Sequence, residues 1–293
     1  MTGLVDLHRH LDGSLRRETL LELAGHVPDD LLFHAGMGLS EALARFAFTL
    51  SVLQTAGAVR RVASEICEDA AREGVTTLEI RFAPQLHRGA RIPEIVEAAL
   101  EGFVGRAGLV LCGLYGEPPA VLADLVEQDG IVGIDLAGGP APGHAWGLVD
   151  YAPAFHRAAD RGLGRTVHAG EGRPAAEIRS AIEILGAQRI GHGTTLLDDP
   201  AVVDLVIERG VVIEACPTSN VHTGVIPSVA AHPIRAWLRQ GVQVCVNSDN
   251  TLLSDTTAAR ELDRLGLDAG ERASVIATGH AAAFHGMRGR LGA

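Results

Sequence analysis

Eight short apolar runs, each followed by a helical stretch, constrain this chain more than any other feature. The runs cover residues 4–8, 76–82, 109–114, 131–136, 165–168, 189–192, 211–215 and 242–247. Between them, apolar residues recur at three- and four-residue steps, as at Val59, Val62, Ile66, Cys67 and Ala70. Helices are expected over 17–24, 58–73, 92–107, 118–127, 148–161, 175–185, 200–209 and 231–240. Two more are expected near 255–264 and 270–284, and a less regular one is capped by Ser40 and Glu41. Mostly continuous apolar runs read as strands covered on both faces. Eight βα units in 293 residues match a single (β/α)8 TIM-type barrel over 1–293, with its active site at the C-terminal strand ends. A doubly wound open sheet is the alternative. It explains less well why reactive residues end the first, fifth, sixth, seventh and eighth runs, because only a barrel brings every strand end to one rim.

Those ends carry the chemistry. His8 and His10 alternate on one strand, so their rings point to the same side. His168 ends the fifth run and Asp249 the eighth. Three imidazoles and one carboxylate suit a divalent transition metal, most simply one Zn²⁺, with a position left for water. Such a site makes water acidic enough to attack at neutral pH and still needs a proton-transfer group. Glu171 follows His168 closely enough to sit beside a substrate, the alternative being a surface residue capping the next helix. His192, between two glycines, is placed to orient the attacking oxygen, or else is a structural histidine.

Composition removes other classes. Lysine is absent and all 25 basic residues are Arg, which excludes Schiff-base lysines, Walker-type lysines and metal-bridging carboxylated lysines. Net charge is −11 with no basic run, which argues against nucleic-acid or anionic-membrane partners. No stretch reaches the length of a membrane span, and the start lacks the features of a signal peptide. The four cysteines form no C-x-x-C, and three lie in apolar runs and read as buried and reduced. A cytoplasmic protein is expected. The H-x-E and P-C-x-x-C signature of cytidine-type deaminases is missing.

Five stretches together resemble the adenosine deaminases of the amidohydrolase superfamily. They are His8-Arg9-His10-Leu11-Asp12-Gly13-Ser14, Gly133-Ile134-Asp135-Leu136-Ala137-Gly138, Thr166-Val167-His168-Ala169-Gly170-Glu171, Arg189-Ile190-Gly191-His192-Gly193-Thr194 and Cys216-Pro217-Thr218-Ser219-Asn220. Asn247-Ser248-Asp249 completes the set, and the resemblance runs from residue 4 to about 285 in the family's order. It implies a (β/α)8 barrel with one zinc held by His8, His10, His168 and Asp249. Glu171 would protonate purine N1 while activated water attacks C6, and His192 would assist. The Gly138 backbone would contact the purine, Asp12 would approach the ribose, and His10 would also face the substrate. Ammonia would leave and a 6-oxopurine remain.

The chain departs from the family pattern at the substrate's edge. Asn250 stands where many members carry a second Asp that meets purine N7, and its amide donates at any pH. Leu114-Tyr115-Gly116-Glu117 replaces an expected Arg-His pair, Gly138-Gly139-Pro140 replaces a more acidic sequence, and the segment after residue 25 is short. Adenosine or deoxyadenosine is the first expected substrate. The alternatives are a modified nucleoside such as aminodeoxyfutalosine or an antibiotic-pathway adenosine derivative, free adenine, another amidohydrolase reaction, or a zinc-bearing purine-binding protein without turnover. Arg81, near the end of the second run, reads as an interior barrel residue, the alternative being a substrate contact. The histidines at 26, 34, 87, 144, 156, 222, 232, 280 and 285 read mostly as surface or helix-end residues.

Overall fold

The computed structural model describes residues 3–139 and 143–284, so Pro140 and His285 lie outside the described residues. The strands are β1 Leu4–His10, β2 Val75–Phe82, β3 Gly108–Leu114, β4 Gly133–Ala137, β5 Gly164–Ala169, β6 Arg189–His192, β7 Val212–Ala215 and β8 Gln243–Val246. They form one eight-stranded sheet in sequence order, and every laddered pair is parallel. With helices between the strands, this is the expected (β/α)8 barrel.

The seam between β8 and β1 is closed by the residues that follow β8. The Asp249 amide donates to the His8 carbonyl at 2.8 Å, and the His10 amide donates to the Asp249 carbonyl at 2.7 Å. One turn lower, the Asn247 side-chain oxygen takes the Leu7 amide at 2.8 Å in place of a backbone partner. A register shift in the β1–β2 pairing falls between Asp6 and Arg9, the irregularity expected beside an active site.

The strands are not apolar on both faces, which departs from the sequence expectation. Ile80, Leu111, Ile134, Val167, Ile190 and Val244 pack outward with helix residues in one large cluster. The inward positions between them hold Glu79, Arg81, Asp135, Thr166, Arg189 and Glu214, all buried. A barrel this narrow is filled by side chains, and here charged pairs do part of the filling.

Some element limits also differ from the periodic pattern. The helix expected over 92–107 spans Ile92–Phe103, because Val104 and Gly105 take φ of 50° and 72° and turn the chain away. The helix expected at 231–240 is Ile234–Gln240, since Pro233 at its cap cannot extend it backwards. Gly38, not Ser40, precedes helix Leu39–Val52, and no side chain caps it. A short helix, Pro217–His222, follows β7 where none was expected. His87 and His232 are buried, not superficial; His87 Nδ1 sits 2.5 Å from the Leu53 carbonyl. Among the described residues no single helix is long and apolar enough to cross a membrane.

The chain's last described residues seal the barrel floor. Phe284 lies under Arg189, with the guanidinium carbon 3.6 Å from the ring centroid. Its amide donates to Glu79 Oε1 at 2.6 Å, and Arg189 Nη1 donates to the Ala282 carbonyl at 3.1 Å. A Cβ at Gly164 would fall 2.0 Å from the Phe284 ring, so only glycine there leaves space for the plug. Phe284→Ala removes this ring and should cost about 3–5 kcal/mol. A lower urea midpoint with unchanged metal content checks this; an unchanged midpoint would show that the floor is not part of the cooperative core.

Candidate active site

His8 and His168 are each held from below by a carboxylate. His8 Nδ1 lies 2.8 Å from Glu214 Oε2, and His168 Nδ1 lies 2.9 Å from Asp135 Oδ2. A carboxylate partner places the ring proton on Nδ1 and leaves the Nε2 lone pair free. The freed His8 Nε2 is buried and has no partner. His168 Nε2 faces His10 Nε2 at 3.3 Å. Asp249 Oδ1 lies 3.5 Å from His10 Nε2 and 3.7 Å from His8 Nε2. Donors bound at about 2.0–2.1 Å in a tetrahedral site stand roughly 3.4 Å apart. The three separations, 3.3 Å, 3.5 Å and 3.7 Å, are close to that spacing.

The surrounding charge points the same way. Among the described residues the guanidiniums that pair with Glu79, Asp135 and Glu214 inside the barrel are those of Arg81 and Arg189, three carboxylates against two guanidiniums. Burial, with Arg81 second, lowers the His8 pKa well below its usual value; burial and then His168 do the same for His10. Both rings are thus neutral and able to bind metal. Burial opposes a charge on His168 too, but Asp135 outweighs it and raises that pKa. Burial raises the Asp249 pKa, which a divalent cation would reverse.

Two other groups lie within reach of this centre. His192 clusters with His8 and His168, and Cys216 with His8 and Asp249. Each is engaged elsewhere. His192 Nδ1 meets Asn220 Nδ2 at 3.0 Å, and the Cys216 thiol points at the Glu214 carbonyl at 3.6 Å. Burial also pushes the Cys216 thiol well above its usual pKa. Gly191 lets this layer close up, since a Cβ there would lie 3.0 Å from His8 Cε1.

Glu171 is buried, not a surface helix cap, and the next helix starts at Ala175. The loop that carries Glu171 is tied on three sides. Arg173 Nη2 donates to the His168 carbonyl at 2.9 Å, Arg173 Nε to Glu177 Oε2 at 2.8 Å, and Thr194 Oγ1 to the Gly170 carbonyl at 2.7 Å. Burial raises the Glu171 pKa, partly offset by His168 and Arg173. Glu171 Oε2 faces His192 Nε2 at 3.8 Å. Burial lowers the His192 pKa to about 3, so the ring is neutral. With Asn220 donating to Nδ1, the His192 proton sits on Nε2 and faces Glu171.

Above these groups is a cavity of about 670 Å³. Asp12, Gly138 and Asn250 line it with His10, His168, Glu171, His192 and Asp249, while His8 lies beneath. Burial raises the Asp12 carboxyl to about 7. Phe33, Leu39, Leu43, Phe46 and Leu50 form an apolar wall, and Tyr115, Gly116 and Glu117 form part of another side. Glu117 is held by Gln85 Nε2 at 2.9 Å. Among the described residues none that lines it is Arg, and the chain has no Lys. Sequence reasoning missed Asp135, Glu214 and Asn220, the partners of His168, His8 and His192. For the two acids a signal was present: a carboxylate inside an apolar strand is buried and must find a partner.

Comparisons with known proteins agree with this architecture. The family profile described as adenosine deaminase matches residues 4–285. An adenosine deaminase from Shewanella halifaxensis is 35% identical over 286 residues, covering 88% of this chain and 86% of the relative. The crystal structure of an adenine deaminase from Arthrobacter aurescens superposes with a TM-score of 0.86 at 26% identity, covering 97% of this chain and 94% of the other. An Arabidopsis N6-mAMP deaminase structure gives 0.84 at 25% identity, covering 96% and 93%.

The geometry separates ligands from neighbours by experiment. His8→Ala and Asp249→Ala should lose stoichiometric divalent metal after equilibrium dialysis, and His192→Ala should retain about one ion per chain. Loss of metal from His192→Ala with retention in Asp249→Ala would reverse the assignment.

Proposed function

The chain belongs to the adenosine deaminase family, and on that premise we propose a zinc-dependent enzyme that hydrolyses the 6-amino group of an uncharged purine nucleoside, adenosine or deoxyadenosine foremost. The observation that carries the proposal is one juxtaposition. A buried acid, Glu171, and a neutral His192 flank four converging metal donors below a cavity with no guanidinium among its described lining residues. Zinc is the proposed ion because nitrogen donors dominate the set and one carboxylate completes it. Bound there, it supplies Lewis acidity that turns water into a nucleophile at neutral pH.

The protein side chains do the rest. Burial raises the Glu171 pKa and so favours its acid form, from which it passes a proton to purine N1. Protonation at N1 withdraws electrons from C6 and opens that carbon to attack. The His192 Nε2–H stabilises negative charge on the attacking oxygen. Asn250 donates its amide to N7, the Gly138 backbone meets the purine edge, and Asp12 bonds the ribose. Asp249, His8, His10 and His168 hold the ion. N1 keeps the proton from Glu171; of the two protons of the attacking water, one goes to the amino group, which leaves as ammonia, and the other restores the Glu171 acid, leaving the 6-oxopurine.

Charge favours that substrate class. A phosphate would meet Asp12 and Glu117 on the cavity wall and no Arg or Lys among the described lining residues, with Arg173 lying behind Gly139. Binding a dianion there would strand its charge. An uncharged nucleoside with an enlarged apolar substituent is the second reading, favoured by the wall of Leu39, Leu43, Phe46 and Leu50. All four cysteines are free and buried, which suits a reducing compartment, and the cytoplasm is the proposed location.

Zinc-loaded protein should release ammonia from adenosine, with the accompanying ultraviolet change, and should leave AMP and N6-methyl-AMP almost untouched. Adenine and aminodeoxyfutalosine run alongside place the sugar and 5′ requirements. Preference for AMP over adenosine would refute the uncharged-substrate proposal; purine binding without any turnover would favour a binding protein. Glu171→Gln should keep its metal and lose about 10²–10⁴-fold in kcat. Wild-type activity in that variant would remove Glu171 from the proton-donor role.

A further inference from the structure

Beneath the four donors lies one side chain that touches neither metal nor substrate yet reaches two ligands at once. Arg81 is fully buried at the centre of the barrel. Its Nη1 donates to Asp135 Oδ2 at 2.8 Å, and its Nη2 donates to Glu214 Oε2 at 2.8 Å. Nη2 also donates to the Leu7 carbonyl at 2.6 Å, on the strand that carries His8 and His10. Asp135 and Glu214 are the carboxylates on which His168 and His8 rest. A single planar fork thus ties β1, β2, β4 and β7 together directly below the site.

We infer that Arg81 is the positioning residue for the metal centre: its guanidinium sets the orientation of both carboxylates, and through them aims the Nε2 atoms of His8 and His168 at one point. This rests on the proposed metal reading and adds to it a residue outside the ligand set. The reasoning is geometric. Asp135 has one cationic partner, Arg81, and otherwise faces His168 and the weakly donating Cys112 thiol at 3.7 Å. Without the fork its carboxylate can rotate about its last bond, and the His168 ring turns with it. Glu214 differs, because Arg189 Nε at 2.7 Å and Thr166 Oγ1 at 3.1 Å also hold it. Loss of Arg81 therefore loosens the His168 side more than the His8 side. A lysine cannot substitute, since one ammonium does not reproduce two parallel donors in a fixed plane.

The neighbouring Arg189 is the natural control. It is equally buried and touches Glu214, but it has no contact with Asp135 and faces the barrel floor. Purified full-length Arg81→Met, Arg81→Lys and Arg189→Met are compared by urea unfolding without metal, zinc affinity from chelator competition, and the visible spectrum after loading with Co²⁺. Arg81→Met should weaken zinc binding about 10–100-fold, the usual effect of losing a group that orients a ligand. Its cobalt bands should shift, kcat should fall and KM should stay close to wild type. Arg81→Lys should recover stability without recovering affinity or the spectrum, and it carries the test if Arg81→Met does not fold. Arg189→Met should lose stability while keeping zinc affinity within about threefold and the cobalt bands of wild type.

Wild-type affinity and spectrum in both Arg81 variants would overturn the inference and leave the metal site standing. So would equal loss of affinity in Arg81→Met and Arg189→Met, which would mark both as packing residues. A wild-type protein that takes up no divalent ion would overturn the metal reading itself, and this inference with it.

Discussion

Asp249 does two things that the rest of the site depends on. Its backbone bridges the barrel seam, accepting from the His10 amide and donating to the His8 carbonyl. Its side chain then stands within 3.7 Å of both rings of the strand it has just joined. Closing the barrel and gathering the donors are therefore one event. The backbone cost is visible: Asp249 has φ of 61°, a region where Asp is tolerated better than most residues. Strain of this kind persists where surrounding contacts over-determine the conformation. Here those contacts include Ser248, whose hydroxyl donates to Asp6 at 2.5 Å, and the Asn247–Leu7 bond below it.

Below the seam, hydrogen bonds and ion pairs run from the C-terminal plug to the ligands: Phe284 to Glu79, Glu79 to Arg189, Arg189 to Glu214, Glu214 to Arg81, and Arg81 to Asp135. Such a chain is a poor source of net stability. Each buried ion gives up several kcal/mol of hydration, and apolar replacements are often as stable. Exposed pairs such as Arg157–Glu127 add little, because solvent screens them. What a buried network supplies is a single arrangement, because every partner removed leaves another charge stranded at about 3–5 kcal/mol. On the proposed metal reading, fixed donor directions would matter more than stability, and the Arg81 end of this network would supply them.

That difference also explains what could be read from the residues alone. The βα alternation was legible because burial of strand and helix faces writes a period into the sequence. His8, His10, His168, Glu171, His192 and Asp249 stood out because they end apolar runs, and a barrel gathers run ends. Asp135, Glu214 and Arg81 did not stand out as a set, since their pairing joins residues up to 133 positions apart and follows barrel register instead of local pattern. Asn220 was hidden for another reason: it lies on the short helix Pro217–His222, only six residues long and too short for periodicity to register. His87 and His232 looked superficial because a lone histidine carries no sign of the packed partner that buries it, the Phe82 ring for one and Trp237 for the other.

The same desolvation sets both proton-handling groups. Burial raises Glu171 and lowers His192, so it pushes each toward its neutral form, the form in which each would present a hydrogen to the cavity on the proposed reading. His168 and Arg173 pull the other way, and on the proposed reading a bound divalent ion would add to that pull. Burial is what opposes it. Part of the burying wall comes from the segment after residue 25 and the helix behind it. Phe33 donates its amide to the Leu253 carbonyl at 2.7 Å, Gly36 donates to the Val221 carbonyl at 2.9 Å, and Phe46 lies edge-on to His10 with ring centroids 6.2 Å apart. These apolar residues never touch the proton, yet opening them to water would return Glu171 toward an ordinary carboxylate. In this barrel the covering segment belongs to the acid–base chemistry as much as to substrate fit.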